Sequence, residues 1–145
     1  MIALDTNILA RFYCDDPNDP EAKRQRPSVL RLFRNAEAMF VPITVVVEFE
    51  WIMRGFYERH RDDFARVIRH LLGLPNVTVE DWQAINDALT LHLEGLDFAD
   101  ALHWARSRHC ERMISFDDRG FARKVKRLNL EPAVCNPQEY LEDIA

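Results

Sequence analysis

The chain lacks most of the short patterns that announce a cofactor. Its three cysteines, Cys14, Cys110 and Cys135, are scattered, odd in number and form no CxxC. That usage suits reduced thiols acting as small buried residues and argues against a zinc site. The histidines, His60, His70, His92, His103 and His109, form no HExxH and none pairs with a cysteine. Surface or helix-face roles are expected for them rather than metal ligation. There is no GxxxxGK(S/T) and no GxGxxG, so nucleoside triphosphate and dinucleotide binding have no support. No apolar run approaches the roughly 20 residues of a membrane span. No basic region precedes the N-terminal apolar stretch, which Asp5 interrupts, so no signal peptide is expected and the cytoplasm is the expected compartment. Repeats and low-complexity linkers are also missing.

Positive charge is scarce as well. The formal net charge is −5, whereas nucleic-acid partners favour basic surfaces. Local clusters can still bind a polyanion. Lys23, Arg24, Arg26, Arg31 and Arg34 form one; Arg119, Arg123, Lys124, Lys126 and Arg127 form another. A solvated helix face is the ordinary reading of such runs, but the second follows Asp117 closely and is a phosphate-contact candidate.

The 145 residues fit one domain, 1–145, long enough to bury its own core. Apolar residues make up 48% and charged residues 30%, which places the chain among globular proteins. Short apolar runs at Ile2–Leu4, Met39–Pro42, Val77–Val79, Met113–Phe116 and Ala133–Cys135 alternate with helix-length segments, which predicts an α/β fold with a parallel sheet flanked by helices. Thr44 is the expected N-cap of a helix reaching about Tyr57, and Asp81 that of a helix carrying Trp82, Ile85, Leu89 and Leu93. Phe64, Val67, Ile68, Leu71 and Leu72 form another stripe, ended by Gly73 and Pro75. Pro27 predicts a fresh helix start or a kink.

Against this background, four carboxylates stand beside apolar segments without an obvious local basic partner: Asp5, Glu48, Asp100 and Asp117. Two unit charges about 4 Å apart repel by about 4 kcal/mol at an effective dielectric near 20, so acids aimed at one point call for a cation. All-oxygen ligation favours Mg²⁺ or Mn²⁺, and metal-assisted phosphate chemistry follows. Two such ions would offset the four charges and leave a balance of about −1. Asp5 ends the first strand, where open α/β sheets place their sites, though it could equally cap the next helix; Thr6 and Asn7 could cap instead. At about 100° per residue, Glu48 falls between Trp51 and Ile52 on an apolar arc, and Glu50 lies about 160° away, solvated or paired elsewhere. Asp97 is the expected N-cap of a helix whose first turn projects Asp100, where the helix dipole favours an ionised carboxylate. Asp118 is the expected cap of the helix containing Phe121, leaving Asp117 for the site, with Ser115 steadying a carboxylate or a water.

Ile2-Ala-Leu-Asp-Thr-Asn-Ile-Leu-Ala-Arg11, Thr44-Val-Val-Val-Glu-Phe-Glu-Trp-Ile52, Asp97-Phe-Ala-Asp-Ala-Leu-His103 and Ser115-Phe-Asp117, in that order, resemble the four motifs of the PIN domain. Within that family they resemble the VapC-type toxin ribonucleases of bacterial toxin–antitoxin modules. The resemblance implies a three-layer sandwich with a short, mostly parallel central sheet flanked by helices. It implies a Mg²⁺- or Mn²⁺-dependent endoribonuclease using Asp5, Glu48, Asp100 and Asp117. It also implies an RNA substrate, a homodimer and a small VapB-like antitoxin, with no membrane partner. Phe33, Phe56, Tyr57 and Trp104 are apolar residues available for such partner surfaces. Rival readings fit less well. A haloacid-dehalogenase-like phosphotransferase needs a second Asp where Asn7 stands. A receiver domain needs a lysine at a late strand end, which Ser115-Phe116-Asp117 does not supply. A catalytically silent PIN-like module binding RNA or protein is the alternative within the fold.

Overall fold

A computed structural model describes residues 1–145, apart from the side chain of Asp118. The chain is α/β, and its strands all pair in parallel. Five strands occupy the five predicted runs: β1 (Ile2–Ala3), β2 (Met39–Val41), β3 (Val77–Val79), β4 (Arg112–Ile114) and β5 (Ala133–Cys135). They form two hydrogen-bonded groups, β1-β2-β3 and β4-β5, rather than one ladder. Two compact units contain them, Met1–Trp82 and Gln83–Ala145.

In the first unit β2 is the middle strand, with Ile2 opposite Met39 and Met39 opposite Val77. Met39 and Val41 are fully buried, as a central parallel strand requires. β1 is an edge, and Ile2 is 45% exposed; Leu4, just beyond it, is the buried residue of the N-terminal run. The helices are α1 (Thr6–Tyr13), α2 (Pro20–Asn35), α3 (Ile43–Gly55) and α4 (Arg61–Gly73). Phe12 stacks on Phe33 at 3.9 Å between ring centres, and Phe49 lies 6.3 Å from Phe64. Asn76 Nδ2 donates to the Phe33 and Ala36 carbonyls at 3.2 and 3.0 Å, which satisfies the open end of α2 and fastens it to the start of β3.

Three expectations change here. No new helix begins at Pro27: α2 runs through it, although proline cannot donate to the Lys23 carbonyl. α3 starts before Thr44, with Pro42 as its cap residue, and its Ile43 N–H donates to Glu80 Oε1 at 2.8 Å. The third concerns α3's faces. Val46, Phe49, Glu50 and Met53 are the stripe that packs inward, whereas Trp51 is 66% exposed. α3 is apolar nearly all round, so periodicity alone did not reveal its inner face.

The second unit holds α5 (Trp82–Leu93) from its second residue on, α6 (Phe98–Ala105), a π-turn (Asp118–Ala122), α7 (Arg123–Arg127) and α8 (Pro137–Ile144), with β4 and β5. In α5, Ile85 and Leu89 are buried as expected, while Trp82 is half exposed and Asp81 takes φ 49°. His92 is a core residue: its Nδ1 lies 2.7 Å from the Leu96 carbonyl and its ring meets Phe98 edge-on. Trp104 Nε1 donates to the Pro132 carbonyl at 3.0 Å. Phe33 and Trp104 thus belong to the cores of their units; Phe56 is exposed. Cys14 and Cys135 are buried and reduced, but Cys110 is exposed. Among the described residues no helix is long and apolar enough to cross a membrane.

Candidate active site

Asp5 follows β1 and is the N-cap of α1, its Oδ1 accepting the Thr6 N–H at 2.7 Å. The capping role open in the sequence is therefore realised, and Asp5 also stays exposed at the carboxyl end of its strand. Glu48 lies on α3 and is exposed, as is Trp51, so the apolar arc to which the sequence assigns it is not the helix's inner face. The buried acid is Glu50, 3% exposed, held by Arg54 through Nε to Oε2 at 2.9 Å and Nη2 to Oε1 at 3.2 Å. Position 50 faces the core and finds its counter-charge one turn later; position 48 faces solvent.

In the second unit Asp97 is the N-cap of α6, accepting the Asp100 N–H at 3.3 Å, as expected. Asp100, in the first turn, is half buried. Burial raises its pKa above the ordinary carboxylate value, and the charges of Asp97 and Asp117 raise it further, with His103 opposing. Asp97, Asp100 and Asp117 thus share one electrostatic neighbourhood. Asp117 follows β4 and is itself the N-cap of the π-turn, which corrects the assignment of that cap to Asp118. Asp117 Oδ1 accepts the Gly120 N–H at 2.8 Å, and its carbonyl accepts the Ala122 N–H at 3.0 Å. Ser115 Oγ accepts the Asp117 N–H at 3.1 Å, so Ser115 steadies the backbone of Asp117, not its carboxylate. The side chain of Asp118 lies outside the described residues.

Gly120, which sequence reasoning passed over, and Thr6, which it offered only as a cap, also bear on the acids. A Cβ on Gly120 would stand 2.9 Å from Asp117 Oδ1 and 3.0 Å from Oδ2. Its φ is ordinary, so glycine is needed there for room, not for conformation. The signal was readable: an Asp three residues before a Gly at a helix start. The second is Thr6, whose buried hydroxyl has no hydrogen-bond partner among the described residues, directly after Asp5. An unsatisfied buried hydroxyl costs about 1–3 kcal/mol, so Thr6→Val should hold or raise stability by about 1 kcal/mol in denaturant unfolding. A loss above that size would mean the hydroxyl has a partner that steadies the fold.

The profile of one protein family, the PIN domain, matches residues 2–127. The chain belongs to the PIN domain family. A comparison with curated proteins gave no match. PIN domains are generally nucleases that use divalent metal ions, and membership brings that expectation to this chain. The donor chemistry here fits such ions. Asp5, Glu48, Asp100 and Asp117 each keep a carboxylate oxygen without a hydrogen-bond partner among the described residues, and oxygen ligands suit hard cations. No group of three or more His, Cys, Asp or Glu is drawn close enough to hold an ion among the described residues. Asp5 and Glu48 belong to the first unit, Asp100 and Asp117 to the second.

Proposed function

We propose that this PIN domain, taken as the whole chain 1–145, is a metal-dependent endoribonuclease and the toxin of a VapBC-type module acting in the cytoplasm. The observation that carries the reading is that the family match runs over residues 2–127, the stretch of chain in which Asp5, Glu48, Asp100 and Asp117 lie. Asp5, Glu48, Asp100 and Asp117 are the proposed ligands of Mg²⁺ or Mn²⁺. When bound, the metal would supply a water of lowered pKa and offset charge on the scissile phosphodiester. The residues' own work is positioning. The Gly120 N–H and the Ser115 hydroxyl fix Asp117 from two sides. The Thr6 N–H fixes one oxygen of Asp5 and leaves the other without a hydrogen bond among the described residues. Glu48, exposed on α3, would ligate the metal or orient its water.

Gly120→Ala tests the positioning directly. The methyl group displaces the Asp117 carboxylate, while alanine is the better helix former by about 1 kcal/mol. Melting temperature should hold and RNA cleavage should fall by about a hundredfold, the scale of an ångström-sized misplacement. Unchanged cleavage would remove Asp117's exact position from the account.

The proposed partners are a second copy of the chain and a small antitoxin whose arginine pairs with the carboxylates, a planar cation suited to two oxygens at once. Trp51 and Phe56, on and just after α3, are 66% and 69% exposed and support a partner surface there. Expression of the chain alone should arrest bacterial growth, and Glu48→Gln should relieve the arrest. A strictly monomeric species in light scattering, with no partner co-purifying when the neighbouring gene is co-expressed, would sink the toxin part. Equal arrest by both forms would point to the silent, binding-only module instead.

A further inference from the structure

The two basic clusters noted in the sequence are built differently. On α2 the charges are spread from Lys23 to Arg34, and some are already spent: Arg24 lies 3.6 Å from Glu21, and Arg26 donates to the Arg11 carbonyl at 3.1 Å. After Asp117, Arg119, Arg123, Lys124, Lys126 and Arg127 line one open depression of about 660 Å³. No acidic residue occurs between Arg119 and Arg127, in a chain whose net charge is −5. Among the described residues no carboxylate reaches Arg119, Arg123, Lys126 or Arg127 within ion-pair distance.

The convergence has a local cause. The π-turn is wider than an α-turn, and it joins α7 end to end, so Arg119, Arg123 and Arg127 follow one another at four-residue intervals. Phe121 and Val125 fill the opposite side and are buried, which anchors the segment and turns its cations outward. Lys124 Nζ donates to the Gly95 carbonyl, tying α7 to the loop that leads into Asp97 and Asp100. The segment is therefore fixed in the same unit as Asp100 and Asp117, and begins two residues after Asp117. Like charges held together without counter-ions are costly unless an anion visits them.

We propose that this depression is the subsite that binds the phosphodiester backbone of RNA beside the cleaved bond. The inference rests on the nuclease reading and adds to it the place where substrate affinity resides. A point-charge contact to backbone phosphates carries no sequence information, so the subsite tethers the strand and leaves the choice of cleavage point to other residues.

The test uses the full chain and a fluorescein-labelled 20-nucleotide single-stranded RNA in EDTA, where metal-dependent cleavage stops and a basic subsite still binds. Anisotropy titrations at several salt concentrations give the slope of log Kd against log salt. A single-stranded phosphate contact contributes about 0.7 to that slope, so Arg123→Gln/Lys126→Gln/Arg127→Gln should lower it by about 2. The equally charged control Arg24→Gln/Arg31→Gln/Arg34→Gln on α2 should leave the slope near wild type. Arg123→Lys/Arg127→Lys should restore binding, since charge is retained. An equal fall in both triple variants, or none in the first, would overturn the proposal, as would competition by polyglutamate as effective as by RNA. If the wild type cleaves no RNA yet the slopes behave as stated, the nuclease reading fails while the subsite stands. If the wild type cleaves and the first triple variant is indistinguishable from it in KM and slope, the subsite fails alone.

Discussion

Asp5→Asn, Asp100→Asn and Asp117→Asn should each lower RNA cleavage by more than about a hundredfold, the loss seen when merely outer-shell partners of a metal are removed. The fold should survive all three. Asn retains the capping carbonyl of Asp5 and Asp117, and Asp100 makes no capping bond. Asp100 adds a second readout. Its pKa is raised by burial and by Asp97 and Asp117, so the folded state holds that proton more tightly than the unfolded chain does. Stability is therefore lost as pH rises from the ordinary aspartate value through the raised one, and the loss persists at neutral pH. Asp100→Asn should raise the metal-free melting temperature at pH 7 and remove this acid-range slope. Added Mg²⁺ or Mn²⁺ should stabilise the wild type and leave the variant nearly unmoved. Asp97→Asn should be mild. An inactive Asp97→Asn beside an active Asp100→Asn would exchange the two roles.

The largest effect on folding is expected far from this chemistry. Arg54→Leu should cost about 3 kcal/mol, or about 10 °C in melting temperature, because it strands the Glu50 carboxylate at 3% exposure. Arg54 itself is half exposed, which places the estimate at the low end for a broken buried pair. Glu50→Leu/Arg54→Leu should recover most of the loss, since an apolar pair can replace a buried ion pair at little cost. Cleavage by the double variant should stay near wild type. A double variant as unstable as the single one would show that Glu50 holds more than its arginine.

The same pair shows where the sequence was readable and where it was not. The strands were legible because each is a short apolar run between helix-length segments, and a parallel sheet needs that alternation. All five occur where expected: Val77–Val79 and Ala133–Cys135 agree at both ends, and the other three differ by at most two residues at an end. The stripe of α4 was legible because polar residues mark its outer face. α3 was not, because valine, phenylalanine, tryptophan and isoleucine surround it, and the exchange of roles between Glu48 and Glu50 is invisible until packing decides. α8 went unread although Asn136-Pro137 followed by Glu139 is a cap signal: Asn136 Oδ1 accepts the Glu139 N–H at 2.8 Å. With no buried residue, α8 lacks the apolar rhythm that would have marked it.

For the proposed site, the sequence offers four acids but not their burial. The sequence sets all four acids beside apolar segments, yet Asp5, Glu48 and Asp117 are exposed and Asp100 is half buried. What sets Asp5, Asp100 and Asp117 apart is geometry that a sequence does not display: carboxylates fixed by backbone N–H groups, a glycine that makes room, and a neighbour's charge felt through space. Gly120 matters through its closeness to the Asp117 carboxylate, and no periodicity encodes that.

The central claim, metal-dependent cleavage of RNA by this PIN domain, is tested most directly by incubating the purified chain with total cellular RNA in Mg²⁺, in Mn²⁺ and in EDTA. Discrete fragments should form with either metal, vanish with EDTA and return when metal is restored, and Asp117→Asn should form none under any condition. Intact RNA with both metals, or fragments that persist in EDTA and in Asp117→Asn alike, would contradict it.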